Sequence, residues 1–159
     1  MSSQAGRIVV GRCVSVEQAT HPTLGIPILR VTVKVDRTLK GRGGKTLTFQ
    51  TAFLPEGLSA PGAEATPGFH EGEKVVLFLY PESRSGMTSP VGLGQGKFLR
   101  VSGKDGKEIA VNGFGNRGLL HGMSPRAVER VGSLAKGEAH RPDRLTSDDL
   151  IRMVQELAP

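Results

Sequence analysis

The chain has no tryptophan, one tyrosine and one cysteine, and aromatic residues fill only 4% of its 159 positions. A lone cysteine excludes an intramolecular disulfide. Cys13 also has no His or Lys adjoining it in sequence to lower its pKa, so it reads as a half-buried structural thiol. The longest apolar block, Val75 to Tyr80, is strand-sized and falls well short of the ~20 residues a membrane helix needs. Met1 to Gly6 carries neither the basic nor the apolar stretch of a secretory leader. Two compartments fit that opening: the cytoplasm, or an exported location reached by a chain whose leader has been removed.

Several chemistries lack their signatures. The four histidines, His21, His70, His121 and His140, are widely spaced, with no His-x-x-x-His or Cys-x-x-Cys pattern, so they read as solvent-exposed loop residues and no metal is expected. Gly92-Leu93-Gly94-Gln95-Gly96-Lys97 invites a phosphate-loop reading. The Walker pattern needs a glycine where Val91 stands and a Ser or Thr where Phe98 stands, and the dinucleotide pattern needs a glycine in place of Lys97. These glycines are better read as a bulge, a bend or a close backbone approach. No Gly-x-Ser-x-Gly elbow occurs, and the acids Glu71 and Glu73 flank turns instead of forming a catalytic pair. The expectation is a protein without cofactor and without catalytic residues.

What the chain does have is glycine, proline and positive charge. Its 22 Gly and 10 Pro point to many turns between short elements, and so to β structure in one globular unit. The net charge is +6. The whole excess lies in residues 1–50, where eight Lys and Arg face two acids. Lys34, Arg37, Lys40, Arg42 and Lys45 crowd around one Gly-rich turn. Such a cluster suits nucleic acid, an anionic polysaccharide or an acidic protein surface, and it also serves solubility and protects a strand edge. None of the seven aromatics lies in the turn, which removes the stacking platforms of a single-strand binder from its neighbourhood.

Alternation places strands at Arg7 to Val16, Ile28 to Val35 and Thr46 to Phe53, the second and third joined by the basic turn. Glu73 to Tyr80 is apolar without alternation, as expected of a strand covered on both sides. Val91 to Val101 and Glu108 to Val111 complete the set, the last pair joined at Asp105-Gly106. Leu54 to Gly72 shows no period and is a long connection. Ser124-Pro125 opens a predicted helix from Pro125 to Lys136, and Thr146 with Asp149 caps a second one carrying Leu150, Ile151, Val154 and Leu157.

Val31-Thr32-Val33-Lys34-Val35, Leu39-Lys40-Gly41, the block Gly72 to Leu79, and Gly94-Gln95-Gly96-Lys97-Phe98 together resemble a bacterial envelope or secreted β-barrel module. More distantly they resemble netrin-like modules, among them the inhibitory domain of tissue metalloproteinase inhibitors. The likeness covers roughly residues 7–112. It implies a barrel of the oligonucleotide/oligosaccharide-binding (OB) type and a periplasmic or secreted address. The inhibitors' N-terminal cysteine and disulfides have no counterpart here, so their zinc-chelating mechanism does not carry over.

The expected architecture is mainly β: an antiparallel OB-like barrel of five or six strands, or a twisted sheet closing toward one. It would occupy residues 1–120, with a helical appendage of two helices in 121–159. The expected function is non-enzymatic binding of another protein or an anionic envelope polymer through loops, with Arg37, Lys40, Arg42 and Lys45 as binding residues. The alternative is a single-stranded nucleic-acid-binding OB-fold protein using the basic first half. A third reading is an enzyme whose site is assembled from distant loops.

Overall fold

In a computed structural model of the chain, residues 1–53, 68–117, 119, 125, 126, 129 and 145–157 are described. They form six strands, β1 (Arg7–Thr20), β2 (Pro27–Lys40), β3 (Thr46–Ala52), β4 (Lys74–Leu79), β5 (Lys97–Ser102) and β6 (Glu108–Asn112), followed by helix α1 (Ser147–Leu157). All lie in one sheet of order β3-β2-β1-β4-β5-β6, and every neighbouring pair is antiparallel. The expected antiparallel β chain is present, but as an open sheet. Its outer strands, β3 and β6, do not pair with each other among the described residues. The second predicted helix is α1; the first, Pro125 to Lys136, lies outside the described residues apart from Pro125, Arg126 and Glu129, as does most of the Leu54 to Gly72 connection.

The hydrophobic pattern explains the layering. After Arg7, β1 runs Ile8-Val9-Val10, and β4 reads Val75-Val76-Leu77-Phe78-Leu79, all buried, so β4 and the first part of β1 are covered on two faces. Ile8, Val10, Val76, Phe78 and Phe98 point to one side and meet Leu150, Ile151 and Val154 of α1. Val9, Cys13, Val75 and Leu77 point to the other and meet Val31, Val33, Leu47 and Phe49. Among the described residues no second layer supplies those partners. They come from β2 and β3, so the sheet curls over its own concave face.

The curl is built into β1, whose register against β2 shifts at three places, between Ile8 and Val9, between Val10 and Gly11, and between Cys13 and Ser15. Extra residues of this kind bend a strand and increase its twist. Gly11 allows the close approach, since a Cβ there would lie 2.3 Å from the Lys34 carbonyl oxygen. Near β5 the strand predicted from Val91 is shorter and begins at Lys97. Gly92 and Leu93 adopt left-handed φ values of 62° and 55°, which end extension and wind a single 3-10 turn over Leu93–Gln95.

The ends of α1 follow the capping logic. Asp149 N–H donates to Thr146 Oγ1 at 3.1 Å, and the Thr146 hydroxyl donates to the Asp149 carboxylate at 2.7 Å. Asp148 and Asp149 sit in the first turn, where the helix dipole favours negative charge.

Gly11→Ala forces the β1 and β2 backbones apart and should cost more than the ~1 kcal/mol expected for Thr146→Ala at a helix cap. Chemical denaturation of both variants checks the order; a neutral Gly11→Ala would refute the close-approach argument.

Candidate functional site

The structure separates the cations that the sequence groups together. Arg37, Arg42 and Lys45 are exposed, and none forms an ion pair among the described residues. Lys40 is different: its Nζ donates to the Ser2 carbonyl at 2.9 Å and ties the N-terminal segment to the end of β2. Its role is therefore at least partly structural, which the sequence did not reveal. Arg42 lines a recess of about 260 Å³ together with Arg7, Val9, Val35 and Leu47, and Arg37, Lys40 and Lys45 are not among its lining residues.

Arg7 is the residue that sequence reasoning missed. It opens β1, far from the turn in sequence, and pairing of Ile8 with Lys40 brings it beside the β2–β3 connection. A second recess of about 260 Å³ shares Arg7 and Leu47 with the first. A third, of about 510 Å³, shares Tyr80, Pro81 and Thr88 with the second and is also lined by Phe53 and Met87. The three run on from one another along the open side of β3, where the curled sheet fails to close.

Arg12 adds to the positive surface on the convex face. It is directly opposite Lys34 on β2 and Lys74 on β4, so three cations cross the sheet in one row. Lys74 is neutralised by Glu108 at 2.7 Å. Arg12 and Lys34 have no ion-pair partner among the described residues.

A second charged group lies inside the concave face. Lys97, whose side chain is only 7% exposed, donates to Glu73 Oε2 and to the Gly68 carbonyl, both at 2.5 Å, and stands 4.7 Å from the centre of the Phe69 ring. Burial acts to raise the Glu73 pKa, but the hydrogen bond and charge of Lys97, with further bonds from His70, outweigh it and hold the carboxyl below its ordinary value. The arrangement clamps Gly68 and Phe69 onto the sheet, and Phe69 packs edge-on to Phe49 at 5.5 Å.

Cys13 is fully buried beside this pair. Burial first, then the Glu73 charge, push its thiol up to about 11, against a smaller lowering by Lys97. The expectation of a structural thiol is met, though the side chain is wholly rather than half buried.

The histidines differ from expectation. His21 is 4% exposed: its Nδ1 accepts from Thr23 N–H and Leu24 N–H at 3.2 and 3.1 Å, which leaves Nε2 to donate to the Ser85 carbonyl at 3.0 Å. It is a structural clasp between the β1–β2 turn and the loop after β4. His70 is exposed and bonds Glu73, while His121 and His140 lie outside the described residues. Among the described residues, no three His, Cys, Asp or Glu side chains gather as metal ligands do.

Comparison with protein-family models, with curated proteins and with solved structures finds no match to this chain.

Glu73→Gln leaves the Lys97 ammonium buried without its counter-charge and should cost about 3–5 kcal/mol. The depressed Glu73 pKa also fixes a sign. Its stabilisation is present above the unfolded carboxylate pKa of about 4.3 and is lost as pH falls through the lower folded value. Acid titrations of stability should therefore show a steeper decline in the wild type than in Glu73→Gln, and parallel curves would refute the assignment. Cys13 should resist an aromatic disulfide reagent at pH 8 in the native protein and react on unfolding; rapid native labelling would contradict its burial.

Proposed function

We propose that the chain is a non-enzymatic binding module that recognises an acidic partner, another protein or an anionic envelope polymer, through the β2–β3 connection and the recesses beside it. The observation that carries this reading is the set Arg7, Arg37, Arg42 and Lys45, four cations in or beside the β2–β3 connection with no ion-pair partner among the described residues, of which Arg7 and Arg42 line an open recess. Charges left in water at a concave rim raise the local concentration of an anionic partner and speed encounter. The rigid curled sheet holds them in place, as binding loops on a β scaffold are held.

In this reading the sheet is an open member of the OB-like class. The order β3-β2-β1-β4-β5, with β1 shared between β2 and β4, supports that type, and the periplasmic or secreted address of the netrin-like resemblance goes with it. Single-stranded nucleic acid is the second reading. Tyr80 and Phe53 line the recess of about 510 Å³ and could stack bases. Phe49, Phe69, Phe78 and Phe98 are buried and cannot.

Fluorescence anisotropy with polyglutamate and with oligothymidylate separates the two. The expected result is polyglutamate binding at low salt that weakens as salt rises and is lost when Arg37, Arg42 and Lys45 are changed to Glu. Lys40 is left intact in that variant because it anchors Ser2. Binding of oligothymidylate alone favours the second reading, and unchanged binding after charge reversal overturns both.

A further inference from the structure

The two edges of the sheet are finished differently. On β6, Ala110 N–H donates to the Leu145 carbonyl at 2.8 Å, the Ala110 carbonyl accepts from Asn116 Nδ2 at 2.8 Å, and Ile109 bridges Thr146. That edge is covered by the segment leading into α1.

On β3 the register determines which backbone groups face outward. Val35 N–H donates to the Lys45 carbonyl and Phe53 N–H to the Pro27 carbonyl, so the odd-numbered residues exchange bonds with β2. The even-numbered residues turn their N–H and C=O to the free side. Gln50 follows that rule: its carbonyl accepts Thr88 N–H at 2.9 Å, where Met87 forms a parallel bridge to it. The loop after β4 thus already adds to this edge at one end. Thr46 and Thr48 have the same phase, and no described residue meets their outward groups. The close Thr32 and Thr48 hydroxyls, 3.1 Å apart, agree with a non-hydrogen-bonded cross-strand pair.

We propose that the β3 edge at Thr46 and Thr48 accepts an extended acidic peptide as a further strand, an inference that rests on the acidic-partner reading above. Main-chain bonds from an added strand give affinity, and alternate side chains entering pockets give specificity. Here the inward pockets have a floor of Leu47 and Phe49 and are rimmed by Arg7 and Arg42. The recess beside Arg42 has two arginines and no carboxylate among its described lining residues; Glu82 lines the next one along. The chemistry that fits is a strand alternating apolar and acidic residues, apolar side chains toward Leu47 and Phe49 and carboxylates on the opposite face, the face of Thr46, Thr48 and Lys34, while the arginines at the recess add to the attraction for an acidic chain.

The test uses the full chain and a labelled peptide alternating Val and Glu, in three forms: unmodified, N-methylated at every Glu amide, and N-methylated at every Val amide. All three have the same charge. An added antiparallel strand turns the Glu amides to β3, a parallel one the Val amides, so methylation of one set alone should weaken binding roughly tenfold or more through loss of at least two hydrogen bonds. Thr48→Pro, which removes an outward N–H without touching the β2 ladder, should weaken the unmodified peptide similarly while leaving polyglutamate attraction and the circular dichroism spectrum in place. Equal affinity of the two methylated peptides, or no binding of the unmodified one at low salt, overturns strand addition. If polyglutamate still binds and responds to charge reversal, the acidic-partner reading survives that failure; if it does not, both fall together.

Discussion

The pairing of β1 with β2 on one side and β4 on the other is the constraint from which the rest follows. It brings Ile8, Val9 and Val10 into the middle of the sheet, so successive side chains must be buried on opposite faces. One face is covered by α1. The other has no helix among the described residues and is covered by the curl of β2 and β3, which the bulges of β1 and the missing side chain of Gly11 allow. Curling brings β3 toward Tyr80–Thr88 without pairing it to β6, and the recesses lie in the space that remains.

Charge is distributed according to the same geometry. Inside the concave face, Lys97 is held by Glu73, a carbonyl and an aromatic ring, an arrangement in which a buried ammonium has every partner it needs. In and beside the β2–β3 connection, Arg37, Arg42 and Lys45 stay in water, and Arg7 is half-buried at the recess. The first group is costly to leave unpaired and therefore acts as a clamp. The second costs little unpaired, and it is available to a partner for that reason.

Much of the architecture was legible in the residues. The alternation in Ile28 to Val35, the continuous apolar run of β4 and the turn at Asp105-Gly106, where Gly106 has φ 73°, all appear where local chemistry placed them. The Thr146 cap does too. The Gly92 to Gly96 run was harder, because the pattern Val91 to Val101 looks extended and only the left-handed pair Gly92 and Leu93 shows where extension stops. The burial of His21 had no local sign, since its partner Ser85 is a loop carbonyl far along the chain. Lys97 carried a weak one: it shares the strand phase of Leu99, which packs against the concave cluster.

By itself the sequence determined the kinds of element, their turns and the concentration of positive charge in its first third. Those depend on residues within a few positions of one another, through φ preferences, side-chain period and capping. Tertiary structure alone decided that Lys40 would hold Ser2 while Arg42 lines a recess, that Arg7 would join it, and that β6 would be covered while Thr46 and Thr48 of β3 meet no described residue at their outward edge. These outcomes are set by register between strands distant in sequence, where a shift of one residue turns each side chain to the opposite face.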